Sequence, residues 1–291
     1  NIELSVFYSN KKSDANVLTY DSLNETPLEI SSLQQSGLHR TYNELMCRKT
    51  IKQRLYGLNL SYMISNFQVG YTIHKTELSA NLNPNYNIYN VFYFRGRSLL
   101  NQGFDFYYIL KNMFIYGEMA MSDNKGIAGL VGLSFQPVGY IDFTILYRNY
   151  AKNYQCLYSN AFSAGSNTKN EEGFYFSVTA SIAAKWEFIT SIDLYQNEWF
   201  KNIAHAPSHG YEFDAHLNYQ PDINTVLFIE FRNYDRMKNT TNTDIYHRYL
   251  IHERSNMLRL HASYKLTDKF TLKNRIEYHF QQTEDNTYNS Y

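Results

Sequence analysis

The apolar residues of this chain recur at every second position, over segments longer than the strands of ordinary soluble proteins. Between 211 and 220, Tyr211, Phe213, Ala215, Leu217 and Tyr219 fall on one side of an extended chain. Glu212, Asp214, His216, Asn218 and Gln220 fall on the other, because successive strand side chains point to opposite faces. Phe174, Phe176, Val178, Ala180 and Ile182 alternate likewise with Tyr175, Ser177, Thr179 and Ser181. So do Phe270, Leu272, Ile276, Tyr278 and Phe280 with Thr271, Lys273, Arg275, Glu277 and His279, and Tyr56, Leu58, Leu60, Tyr62 and Ile64 with Gly57, Asn59, Ser61 and Met63. Segments of this kind span 53–65, 67–78, 99–111, 112–122, 126–136, 139–151, 173–184, 186–197, 209–220, 223–236, 254–266 and 268–282, and a further strand opens the chain near 2–9, about thirteen in all. Soluble strands average about 5–6 residues, whereas a strand tilted across a bilayer needs about 9–11.

The connections sort by length. Ser65–Asn66, Lys111–Asn112, Pro137–Val138, Ala184–Lys185, Pro221–Asp222 and Thr267–Asp268 mark tight turns. The segments 79–98, 152–172, 198–208 and 237–253 are longer and polar, and Ser122–Gly126 is a short link in a long slot. Short and long alternate, as the periplasmic turns and extracellular loops of outer-membrane barrels do. Aromatic residues stand at the ends of the apolar faces: Phe174 and Tyr211 on the loop side, Trp186, Tyr219 and Phe270 near the turns. With 28 Tyr and 19 Phe among 291 residues, there is ample material for two interfacial girdles. The mean hydropathy of −0.49 and the lack of any apolar run near 18 residues exclude helical membrane spans. A formal net charge of zero gives no support to a broad nucleic-acid-binding surface. The fold class is therefore all-β, an antiparallel up-and-down transmembrane β-barrel of the outer-membrane type, with lipid as its first partner. Its first and last strands run the same way. Bacterial single-chain barrels have even strand numbers, so the chain, which starts at Asn1 without Met, reads as an excised piece lacking at least one strand.

Residues 12–52 break the pattern. Thr41 followed by Glu44 has capping-box spacing, which predicts a short helix near 42–49. About 40 residues is long for a connection, so the segment is either a plug folded into the lumen or an ordered extracellular loop. Gly37, Leu38, His39, Arg40 and Thr41, then Glu44 and Lys49, then an inward-running strand with Gly57, resemble the barrel region of outer-membrane proteins from the Bacteroidota. Those proteins carry an N-terminal helix-hairpin-helix region of the competence type. The resemblance covers residues 30–75. It implies a large barrel, brings no settled function, and transfers no DNA binding to these residues.

The polar faces would line the lumen. Acidic Glu118, Asp142, Glu187, Asp193, Glu212, Asp214 and Glu230 lie on the middle strands, and basic Arg259, Lys265, Lys273 and Arg275 on the last two, with Arg148 and Arg232 as exceptions. Opposed walls would set a transverse field across a pore for small solutes. The alternative is a set of salt bridges between neighbouring strands that fills a closed lumen. A lipid-facing hydrolase is disfavoured, since His74, His216, His261 and His279 all take the inward parity. A rim hydrolase would draw on His205, His209, Asp214, Asp235, His247 and His252, where no nucleophile–base spacing stands out. His205 and His209 alone make a weak metal signature, Cys47 and Cys156 allow one bridge at most, and no cofactor motif is present. The expected function is a pore or transport-type channel, with a closed anchoring barrel as the alternative.

Overall fold

The computed structural model describes residues 1–165, 167–240 and 249–284. His247, named above, and residues 286–291 lie outside the described residues. One antiparallel sheet dominates: β1 (Ile2–Tyr20), β2 (Pro27–Gln34), β3 (Ile51–Ile64), β4 (Phe67–Leu82), β5 (Gly96–Leu110), β6 (Met113–Ser122) and β7 (Ile127–Val138). It continues through β8 (Ile141–Tyr150), β9 (Glu171–Ala183), β10 (Trp186–Asn197), β11 (Ser208–Asp222), β12 (Thr225–Asn239), β13 (Leu250–Thr267) and β14 (Phe270–Glu284). From β3 to β14 each strand pairs with the next, and β1 pairs with β3 from Ile2↔Tyr62 to Ser13↔Ile51. With β2 set aside, the fourteen strands form an up-and-down wall of thirteen. Among the described residues no ladder joins β1 to β14, which run the same way.

Register follows the period-two pattern throughout. Trp186, Phe188 and Leu194 face Tyr219, Leu217 and Tyr211 across β10–β11, and Phe213 and Leu217 face Asn233 and Ile229 across β11–β12. The apolar face is the exposed one: Leu60, Phe104, Phe106, Leu194, Ile229, Phe231, Leu258 and Leu260 all present more than a third of their surface. The opposite face carries the buried positions, Gln53, Thr76, Asn101, Arg148, Asp193 and Glu253 among them. A soluble sheet would bury the first set and expose the second. An apolar belt turned outward over this many strands is the mark of a barrel wall in lipid.

Three turns sit one or two residues beyond their expected places, one of them at Asp268–Lys269. β7 runs through Pro137 to a turn at Gly139–Tyr140, and β11 runs through Pro221 to a turn at Ile223–Asn224. Each proline falls inside a register shift, between Phe135 and Val138 or between Tyr219 and Asp222, where the ladder does not need its missing donor. Three of the tight turns put a non-glycine residue in the left-handed region. Ser65, Lys111 and Lys185 take φ of 49°, 50° and 71°, a region costly to side chains bearing a β-carbon. Substituting Lys111→Gly should raise unfolding free energy by about 0.5–1 kcal/mol, read as a higher urea midpoint with an unchanged slope.

The segment 12–52 differs most from expectation. The opening strand does not stop near residue 9 but runs to Tyr20, and β2 supplies a fourteenth strand. Three register shifts between Asn16 and Tyr20 bend this β1–β2 hairpin. β2 then meets the end of β4 in parallel, Glu29↔Asn81 and Ile30↔Leu82. A flat meander cannot give that direction, so the hairpin folds over the loop end of the wall. There Ile30 packs with Ala15, Ile51, Leu78, Ala80 and Leu82 into a buried cluster. The helix α1 (Tyr42–Met46) is shorter than the expected 42–49 and has no buried residue. Thr41 caps it as expected: its hydroxyl accepts from the Glu44 N–H, and the Glu44 carboxylate accepts from the N–H groups of Arg40 and Thr41. Cys47 ends it, and both cysteines are free.

Candidate functional site

The loop end of the inward face is where polar groups converge. Its centre is Arg148 on β8, fully buried. The guanidinium donates from Nε to Glu171 at 2.7 Å, and from Nη1 and Nη2 to Asp193 at 2.7 and 3.0 Å. Glu171 opens β9, whereas Asp193 lies on β10, one strand further. Arg148 reaches it by lying across Gly173, where a β-carbon would stand 2.4 Å from Arg148 Cζ. The glycine is thus a gap in β9 through which an ion pair spans three strands. A bidentate Asp193 and a single bond to Glu171 satisfy the guanidinium fork, as burial of that charge requires.

This knot also holds the loop between β8 and β9. Glu171 accepts from the N–H groups of Ala164 and Gly165 at 2.9 and 3.2 Å, and the Phe162 ring lies 5.1 Å from the Arg148 guanidinium carbon. From there the loop runs along the inward face toward β3. Tyr150 donates to the Phe162 carbonyl, Asn101 to the Gln155 carbonyl, and Tyr158 to Gln53 at 2.7 Å. Tyr154 is buried against Ala128 and Tyr150. Leu157 packs on the β1–β2 cluster and accepts from Gln35 through its carbonyl. Loop 83–95 is wound around Arg95, which donates to the carbonyls of Pro84, Asn90, Val91 and Tyr93. Its Phe94 joins the same cluster, and its Phe92 carbonyl accepts from Gln155. Three segments thus close over the loop end: the β1–β2 hairpin, loop 83–95 and loop 151–170. Gly37, His39 and Arg40 are not part of this cover's interior. His39 bonds Asp14 at 2.7 Å, Arg40 lies near Glu44, and Gly37 takes a φ of 65° in the link to α1.

Register places Glu118, Asp142, Glu187, Asp193, Glu212, Asp214, Glu230, Arg232, Arg259, Lys273 and Arg275 on the face opposite the apolar belt. Their charges do not stand as opposed walls throughout. Arg232 is directly across from Asp214 and bonds it at 3.0 Å, also reaching Glu230 and Glu212. Arg259 bridges Glu230 at 2.6 Å and Glu277 at 2.9 Å, each directly across on a neighbouring strand. Neighbour pairing therefore takes up the charges of β11 to β13. Toward the turns the picture changes. Asp142 and Glu187 are exposed on β8 and β10, Lys273 and Arg275 are exposed on β14, and none makes an ion pair among the described residues.

Asp214, His216 and Glu230 lie close enough to hold a cation. Arg232 and Arg259 already bind both oxygens of Glu230 and one of Asp214, and two guanidiniums repel a metal ion from that spot. At the rim, His252 and Asp235 pair at 2.7 Å, with the His209 ring set edge-on 6.1 Å from His252 and Arg254 on the same carboxylate. His205 is apart from them, its N–H bonded to Asn239. Ser255 Oγ meets His279 Nε2 at 2.5 Å inside the wall, yet among the described residues no carboxylate hydrogen-bonds the other ring nitrogen to orient it.

No family model matches this chain, and no curated protein matches it. Among solved structures, the fold is similar to that of Pseudomonas aeruginosa OccD3 (OpdP), at 9% identity and a TM-score of 0.32, with 82% of each chain covered. That likeness concerns the kind of fold alone.

Sequence reasoning found the inward acids and bases but missed the cover and its anchor. Arg148 stood out only as an exception to the charge pattern. The signal that could have found it is Gly173 at an inward position two residues after Glu171, a gap beside a charge on the next strand.

Proposed function

We propose that this chain is a channel-type barrel of the outer membrane, with an extracellular mouth narrowed by inward-folded segments. The observation that carries the reading is the contrast between the two halves of the inward face. Below the Arg148 knot that face is polar, and its charged groups Asp142, Glu187, Lys273 and Arg275 are exposed. A lumen serving only as an anchor gains nothing from unpaired ions, whereas a water-filled path uses them to sort solutes. Lipid contacts the belt. Small solutes take the lumen. The likeness of residues 30–75 to Bacteroidota barrel proteins belongs to the same reading.

Single-channel recording in planar bilayers tests it. A steady open current is expected, with ion selectivity shifted toward cations when Lys273 and Arg275 are both changed to Gln. A correctly folded barrel that stays silent would instead support the closed anchoring barrel, for which the cover over the mouth is the favouring observation.

A further inference from the structure

A cavity of about 320 Å³ opens at the loop end between loops 83–95, 151–170 and 198–207. Its size falls at the small end of ligand pockets, which run to about 300–1,000 Å³. Two kinds of side chain dominate its lining. Phe92, Tyr93 and Trp199 present aromatic surface, with the Phe92 and Trp199 rings set edge to face at 5.2 Å. Lys152, Lys169 and Lys201 bring ammonium groups to the same space.

These aromatics are held in place rather than loosely packed. Trp199 donates its indole N–H to the Ile88 carbonyl, and Asn170 grips its backbone at both N–H and carbonyl. The cations, by contrast, are short of counter-charge. Lys201 lies 3.7 Å from Glu171, a carboxylate it shares with Arg148. Arg236, on the far wall of the cavity, shares Glu253 with Lys238. Lys152 meets Glu198, an exposed rim residue, at 3.4 Å, and its ammonium stands 5.8 and 5.5 Å from the Phe92 and Trp199 ring centres. Lys169 meets no carboxylate among the described residues. Its ammonium rests on the Tyr93 ring at 3.1 Å, and burial pulls it down to about 8 from the usual lysine range. A half-buried cation whose sole companion is a ring face is costly to maintain, and a bound anion would remove that cost.

We propose that this cavity binds a small organic carboxylate carried on a ring. The aromatic surfaces would take the ring, by stacking or by sugar C–H contact. The Lys169 and Lys152 ammoniums would take the carboxylate, and Asn202, which also lines the cavity, offers an amide to a ring substituent. Aryl carboxylates and uronic acids share this chemistry. The site goes beyond the channel reading, because binding at the mouth does not depend on whether the lumen conducts.

The chain has two tryptophans, Trp186 and Trp199. Trp186 lies at the opposite end of the wall, stacked on Tyr219. A Trp186→Phe variant therefore leaves Trp199 as the sole indole reporter of the cavity. The full chain carrying that change, refolded in detergent and held at constant ionic strength and pH 7, is titrated with sodium benzoate, sodium glucuronate, benzyl alcohol and glucose. A saturable change in Trp199 emission is expected with at least one of the two carboxylates, and which one responds separates aryl from sugar ligands. Lys169→Gln, and separately Lys152→Gln, should each weaken binding about tenfold or more, the size of one lost charge-assisted hydrogen bond. Lys185→Gln at a distant turn should leave it unchanged. The proposal is overturned if neither carboxylate saturates, if the neutral analogue binds as tightly as its acid, or if both lysine variants, shown folded by their β-sheet circular dichroism, bind like the parent.

Discussion

Arg148→Met is expected to lower the free energy of unfolding by about 3–5 kcal/mol, the cost of leaving buried carboxylates without their cation. Arg148 is fully buried, and Asp193 beneath it has no other cationic partner among the ion pairs described. Glu171 is better placed to survive, since it keeps Lys201 and the N–H groups of Ala164 and Gly165. The double variant Arg148→Met with Asp193→Leu should therefore recover most of the loss, because apolar replacement of a buried pair is often near neutral. Gly173→Ala tests the same geometry without touching a charge. Its β-carbon would meet Arg148 Cζ at 2.4 Å, so the guanidinium must leave its present course to Asp193. Urea unfolding in detergent measures all three. An Arg148→Met protein within about 1 kcal/mol of the parent would mean that the knot is far less buried or far more solvated than the structure shows.

The wall of this protein was legible because a lipid-facing strand has one requirement, an apolar residue at every second position, and Tyr211 to Tyr219 or Phe174 to Ile182 meet it without interruption. Tight turns were legible for a related reason: they interrupt the alternation, so their places follow to within a residue or two. Pro137 and Pro221 drew the expected turns inward because a proline removes a ladder donor. The structure keeps both prolines inside bulged strand ends, where no donor is needed. The cover was not legible. Ile30, Phe94, Leu157 and Tyr158 are far apart in sequence, sit in segments with no period, and converge only once the wall has brought their anchors together. The inward charges show both outcomes. Their face followed from parity, but their partners depend on register. A shift of one residue in β12 or β13 would remove Arg232 from Asp214 and Arg259 from Glu230.

Shortening the loop between β8 and β9 is expected to raise single-channel conductance severalfold, if the lumen conducts. Tyr150 and Glu171, which flank it, lie directly opposite each other on paired strands. The two ends are therefore about 5 Å apart, and a short Gly-Ser linker in place of 154–165 can close the gap without pulling on the wall. What it removes is the part that crosses the inward face: Tyr154 on Ala128, Leu157 on the Ile30 cluster, Tyr158 on Gln53 and Phe162 beneath Arg148. Deleting residues 36–46 provides the contrast. That stretch holds the Gly37–Thr41 sequence and most of α1, but α1 has no buried residue, so the current should barely change. The reverse result, an unchanged current without the β8–β9 loop and a larger one without 36–46, would move the constriction to the α1 segment. It would mean that the hydrogen bonds from Tyr158 and Gln155 to the wall do not hold in the membrane. Because the Phe162 ring of this loop rests on the Arg148 guanidinium, Arg148→Met should produce a partial form of the same rise, with more frequent transitions between conductance levels. Stability and gating would then be two readings of one buried ion pair.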